Sequence, residues 1–64
     1  MIVVFHDNEN NGRDFTKDAG NLQITVIDDV LMIGEIEYAY YDEEASGWQL
    51  TDQDVIWDAF SIKL

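Results

Sequence analysis

Between Asp18 and Ile62 the chain has no lysine or arginine, while eleven aspartates and glutamates fall in that stretch. Fixed positive charge is confined to Arg13, Lys17 and Lys63, His6 is the single histidine, and the formal net charge is −11. A charge of this size opposes compaction through self-repulsion and says little about fold. It excludes a basic nucleic-acid-binding surface and any attraction to anionic lipid headgroups. Cysteine is absent, which excludes disulfides and thiolate metal sites and agrees with a reducing cytoplasm. No apolar run approaches the ~20 residues of a membrane span. Met1 to Phe5 is too short for a signal-peptide core and carries no basic leader. The expected location is the cytoplasm.

Catalytic equipment is equally sparse. One histidine, no cysteine and serines only at Ser46 and Ser61 do not supply a nucleophile, base and orienter. There is no glycine-rich loop to cradle phosphate. The expectation is a protein that is not an enzyme and holds no cofactor.

What is present argues for a folded domain. Hydrophobic residues make up 47% and aromatics 12%, too much apolar surface for a solvated acidic tail. Sixty-four residues form one domain over 1–64, near the lower limit for folding without staples. Ile2 to Phe5 reads as a strand, and Asp7 to Gly12 as a turn-forming cluster. Arg13 to Ala19 reads as a short helix, with Gly20 in the C-terminal position. Leu22 to Val26 alternates as a half-buried strand, and Asp28-Asp29 makes a tight turn.

Val30 to Tyr41 reads as one long strand with Gly34 as a bulge or close-approach point. Alternation in that run puts Ile36, Tyr38 and Tyr40 on one face and Glu35, Glu37 and Ala39 on the other. Asp42 to Gly47 is a charged loop and Trp48 to Leu50 a short strand. Beyond Thr51 to Asp54 the chain fits either a helix or a strand, and the strand is preferred because Phe60, Ile62 and Leu64 alternate. The expected class is α+β, mainly antiparallel sheet with one or two short helices. Its expected core is Val4, Leu22, Ile24, Val26, Ile36, Tyr38, Phe60 and Ile62.

On a sheet, the acids become an array. Residues two apart on a strand lie ~6.6–6.8 Å apart on one face, while phosphates along a DNA strand rise ~3.4 Å each and are further apart because the strand winds. Glu35 and Glu37 therefore match phosphate-like spacing. Asp28, Asp29, Asp42, Glu43 and Glu44 flank them at the sheet ends, and Asp52, Asp54 and Asp58 form a second row. Tyr41 is the expected outward-facing interface anchor, since interfaces are enriched in tyrosine. The plainer reading is an acidic surface for solubility, or a docking module of another kind. Solubility asks only for a net charge of about 2–8 with mixed signs.

In size, charge and sheet content the whole chain resembles the phage-encoded DNA mimics. That class includes anti-restriction proteins, inhibitors of uracil-DNA glycosylase and anti-CRISPR proteins. The resemblance rests on these properties and on no motif. It implies an inhibitor, acting in the host cell cytoplasm, that occupies the nucleic-acid-binding site of a basic protein. A CRISPR effector, a restriction enzyme or a DNA-repair enzyme would each fit, with no direct contact to nucleic acid and none to a membrane.

A second pattern points to calcium. Asp7 to Asp18 is a twelve-residue segment in which Asp7, Glu9 and Asn11 take the first, third and fifth EF-hand ligand positions and Gly12 the sharp turn. Asp18 stands where the closing glutamate belongs. Glu at the third position, Asp14 at the apolar eighth and a strand before the loop depart from the pattern, so an ordinary loop is the preferred reading.

Overall fold

The computed structural model describes residues 1–7, 14–53 and 55–64. The fold is all-β, with 63% of the described residues in strands and none of them in helix. The strands are β1 (Ile2–His6), β2 (Asp14–Asp18), β3 (Ile24–Ile27), β4 (Val30–Ile33), β5 (Ile36–Asp42), β6 (Gly47–Leu50), β7 (Ile56–Trp57) and β8 (Ala59–Lys63). They form two antiparallel sheets, a three-stranded one in the order β2-β1-β8 and a five-stranded one in the order β3-β4-β5-β6-β7. Among the described residues no helix is long and apolar enough to cross a membrane.

The α+β expectation is therefore corrected. The segment read as a helix, Arg13 to Ala19, is largely the edge strand β2, paired from Asp14 to Asp18 against β1. Its Phe15-Thr16-Lys17 centre offers β-branched and aromatic residues for cross-strand contact, and that pairing outweighs weak local helical signals. The C-terminal segment is strand, as preferred, and makes one short strand in each sheet. Asp58 alone links β7 to β8, and its N–H donates to the His6 carbonyl at 2.9 Å, which fixes the corner between the sheets.

Packing between the sheets is aromatic. Phe5 lies at the centre, with ring centroids 6.1 Å from Tyr38, 6.5 Å from Trp57 and 6.2 Å from Phe60. Trp48 meets Phe60 edge-on at 5.0 Å, and Phe15 lies 6.0 Å from Trp57. Around them Val3, Leu31, Ile33, Ala39 and Leu50 are buried. Such ring pairs add stabilisation of ~0.5–1.5 kcal/mol each beyond area burial.

Of the expected core, Ile24, Tyr38 and Phe60 pack against this cluster. Val4 is buried but stands outside it. Leu22, Val26, Ile36 and Ile62 are exposed.

Candidate binding surface

The long strand expected over Val30 to Tyr41 is two strands. Gly34 and Glu35 form the two-residue turn between the paired Ile33 and Ile36, with Gly34 at φ 64. A positive φ at the first central position is the demand of a type II′ turn, which glycine meets without steric cost. Glu35 thus lies in a turn and Glu37 on a strand, so the two do not form the same-face pair expected from strand spacing.

Further along the β4–β5 ladder, Leu31 pairs with Ala39 but Met32 pairs with Glu37, leaving Tyr38 as an extra residue. This β-bulge inverts the parity of everything beyond it. Tyr38 and Ala39 both reach the core, and Tyr41 then points inward, opposite Trp48 and 5.5 Å from its ring. Tyr41 is thus half-buried packing, whereas Tyr40 is 39% exposed. Tyr40, not Tyr41, is the more exposed ring of the pair.

Consecutive hairpins place the acids. Asp28 and Asp29 form the two-residue tip of β3–β4, both at positive φ (52 and 63), the pattern of a type I′ turn. Asp29 offers its carbonyl to the Tyr41 N–H at 2.8 Å, which holds this tip beside the start of the β5–β6 loop. In that loop the Asp42 carboxylate accepts from the Glu44 N–H at 3.0 Å and the Ala45 N–H at 3.4 Å. Asp42 therefore orders the loop that presents Glu43 and Glu44, and Ser46 at φ 56 closes it. The two tips are centred about two strand spacings apart, ~10 Å.

Asp58 follows Trp57 and, by the β6–β7 register, stands at the same end as Gly47. Asp28, Asp29, Asp42, Glu43, Glu44 and Asp58 thus share one end of the five-stranded sheet. Glu35, Glu37 and Asp52 lie toward the opposite end, so the expected second row of Asp52 and Asp58 is split. Asp54, its third member, lies outside the described residues.

Two shallow concavities, each of about 250 Å³, open at that opposite end. One is apolar, lined by Ala19, Leu22, Ile33, Ile36 and Tyr38. The other joins Glu37, Asp52 and Gln53 to Leu50. Lys17 borders both, its ammonium 5.9 Å from the Tyr38 ring centroid. Burial first, and then the Asp52 carboxylate, push the Tyr38 phenol above its ordinary 10.0.

Against protein-family models, curated proteins and solved structures the chain shows no significant match. What the site can do follows from its own geometry.

That geometry does not favour calcium. Glu9, Asn11 and Gly12 lie outside the described residues. The two ends of the segment are described: Asp7 follows His6, which pairs with Asp14, while Asp18 pairs with Ile2. Five strand rises, ~17 Å, separate those ends. Asp18 Oδ1 accepts from the Gly20 N–H at 2.8 Å, and Asp14 faces His6 Nδ1 at 3.2 Å. Among the described residues no group of three potential ligands could hold a metal ion.

His6 Nε2 lies 2.9 Å from Ser61 Oγ. The resulting Asp14–His6–Ser61 chain has the composition of a hydrolytic triad, and sequence spacing gave no hint of it. All three residues sit on the strands of the three-stranded sheet, and neither concavity includes any of them. Because His6, Asp14 and Ser61 lie on the adjacent strands β1, β2 and β8, the arrangement reads as a cross-strand polar ladder.

Proposed function

We propose that this chain is a non-enzymatic acidic binding protein that blocks the nucleic-acid-binding site of a basic protein, its carboxylates standing where phosphates would. The observation that carries the reading is the gathering of Asp28, Asp29, Asp42, Glu43 and Glu44 on two adjacent hairpin tips. Both tips are ordered by backbone and carboxylate hydrogen bonds, and no lysine or arginine occurs between Asp18 and Ile62. Ordered anions hold their spacing when a basic groove closes on them, so less conformational freedom is lost on binding. A groove that neutralises phosphates with lysine and arginine meets a comparable field here.

Asp28 and Asp29 give a second, independent support. Non-glycine residues in the left-handed region carry a steric cost, and an Asn-Gly pair would relieve it. Retaining two carboxylates there is what a charge-presenting tip requires. The targets that suit this chemistry are a CRISPR effector, a restriction enzyme or a DNA-repair enzyme, inhibited stoichiometrically.

The test is a pull-down from a host lysate at low and high salt, followed by competition between this protein and DNA for the captured target. Binding should exclude DNA and weaken steeply with salt. A variant carrying Asp28→Asn, Asp29→Asn, Asp42→Asn, Glu43→Gln and Glu44→Gln keeps the side-chain oxygen of residue 42 that orders the loop. It should bind at least about ten-fold more weakly, a loss of about 1.4 kcal/mol. Unchanged affinity, with DNA still bound alongside, would sink the reading.

A further inference from the structure

The five-stranded sheet has two faces, and only one meets the aromatic core. On the other, register aligns a row across all five strands: Ile27 opposite Val30, Val30 opposite Tyr40, Tyr40 opposite Gln49, and Gln49 opposite Ile56. Directly paired residues share a face. Four of these five side chains are apolar or aromatic, and none belongs to the core cluster or packs against it. Ile27 is 58% exposed. Met32 extends the apolar patch from the next row, where it pairs with Thr25 and Glu37. Solvated sheet faces ordinarily alternate to polar residues; here Ile27 and Tyr40 are exposed, and Val30, Gln49 and Ile56 are only partly buried.

Its surroundings define what it suits. Asp28, Asp29, Asp42, Glu43 and Glu44 border one end, and Glu37 stands on the face toward the other. A second copy would bring a formal charge of −11 against −11, and an anionic membrane or a nucleic acid would be repelled in the same way. We infer that the outer face of the five-stranded sheet, centred on Ile27, Val30 and Tyr40, contacts a protein partner whose apolar patch lies inside a rim of lysine and arginine. The inference rests on the proposed basic target and adds an uncharged centre to that contact. The acidic rim steers encounter and the apolar row sets how long the complex lasts.

The test uses two probes on the full chain: an amphipathic leucine–lysine peptide with one leucine face, and an oligolysine of equal charge. Calorimetry is run at about 0.15 M and about 1 M salt, where the Debye length falls from ~8 to ~3 Å. Both peptides should bind at the lower salt. At the higher salt only the leucine–lysine peptide should remain, about ten-fold tighter or more, with a negative heat-capacity change. Combining Ile27→Thr with Tyr40→Thr should bring the two peptides within about two-fold.

The wild type answers the same question if that variant fails to fold. The leucine–lysine peptide should shift the methyl resonances of Ile27, Val30, Met32 and Ile56 and leave those of Leu31 and Leu50 in place. Shifts confined to Leu22 and Ile36 would overturn the inference. Equal binding of both peptides at all salts would remove the apolar contact alone. Loss of oligolysine binding at low salt would remove the basic-partner reading and the rim with it. Sedimentation as a dimer, abolished by the double variant, would assign the face to a second copy instead.

Discussion

Gly47 shows how one missing side chain positions a strand. A Cβ there would meet Ile56 Cγ2 and lie 2.7 Å from the Trp57 carbonyl oxygen. The β6–β7 approach therefore depends on glycine for space, since its φ is not positive. Gly47→Ala should lower stability by about 1–3 kcal/mol, the usual cost of overpacking, read as a fall in the urea midpoint. Tyr38 makes a pH-dependent contribution. Its phenol is raised above the ordinary value, so the folded state holds the proton more tightly than the unfolded chain. The stabilisation is complete below about pH 10 and is lost as pH rises through the folded value. Urea midpoints of the wild type should fall above about pH 10 more steeply than those of Tyr38→Phe. Equal slopes would remove the contribution.

The hairpins were only partly legible in the sequence. Asp28-Asp29 was readable as a turn because two short polar residues stand between alternating apolar runs. Gly34 was readable as special, but in a run rich in isoleucine and tyrosine a bulge and a turn look alike until the partner strand is known. The bulge at Tyr38 had no local signature either. It depends on the Leu31 and Met32 pairing, and that single slip exchanged Tyr41 for Tyr40 as the exposed ring. The core suffered likewise: β1 was recognised, yet burial on both sides of it masked that Val3 and Phe5, not Val4, face the aromatic cluster. At the β3–β4 tip, Asp28→Asn combined with Asp29→Gly should raise stability by about 1 kcal/mol or more by relieving the left-handed backbone. Asp28→Asn with Asp29→Asn removes the same charges and keeps a side chain at both positions, so the difference in thermal midpoint isolates the backbone share.

For the molecule as a whole, charge sets the conditions under which the fold persists. Fourteen acids against three lysines and arginines repel within a Cα radius of gyration of 11.2 Å. The Debye length is ~30 Å at 0.01 M salt and ~3 Å at 1 M, so repulsion spans the whole protein in the first case and only near neighbours in the second. The urea midpoint should therefore rise across that range, and a midpoint that falls or stays flat would show that self-repulsion does not limit this fold. The net charge was open to a sequence reading. Which end of the sheet each acid occupies was not, because hairpin order and the corner at Asp58 decide it.

The pairing of β1 with β8 also bears on biosynthesis. Strand β1 is the middle of its sheet, and one of its two neighbours is made of residues 59–63. During translation the β3 to β6 meander can close hairpin by hairpin, each from nearby sequence. The three-stranded sheet cannot, because β1 must wait for residues 59–63 to clear the ribosomal exit tunnel. Until then one edge of β1 lacks its hydrogen-bonding partner, and Phe5 lacks the Phe60 ring beside it. A nascent chain stalled before Ala59 should therefore be open to proteases and chaperones, and a C-terminal extension long enough to carry Lys63 out of the tunnel should restore resistance in a single step.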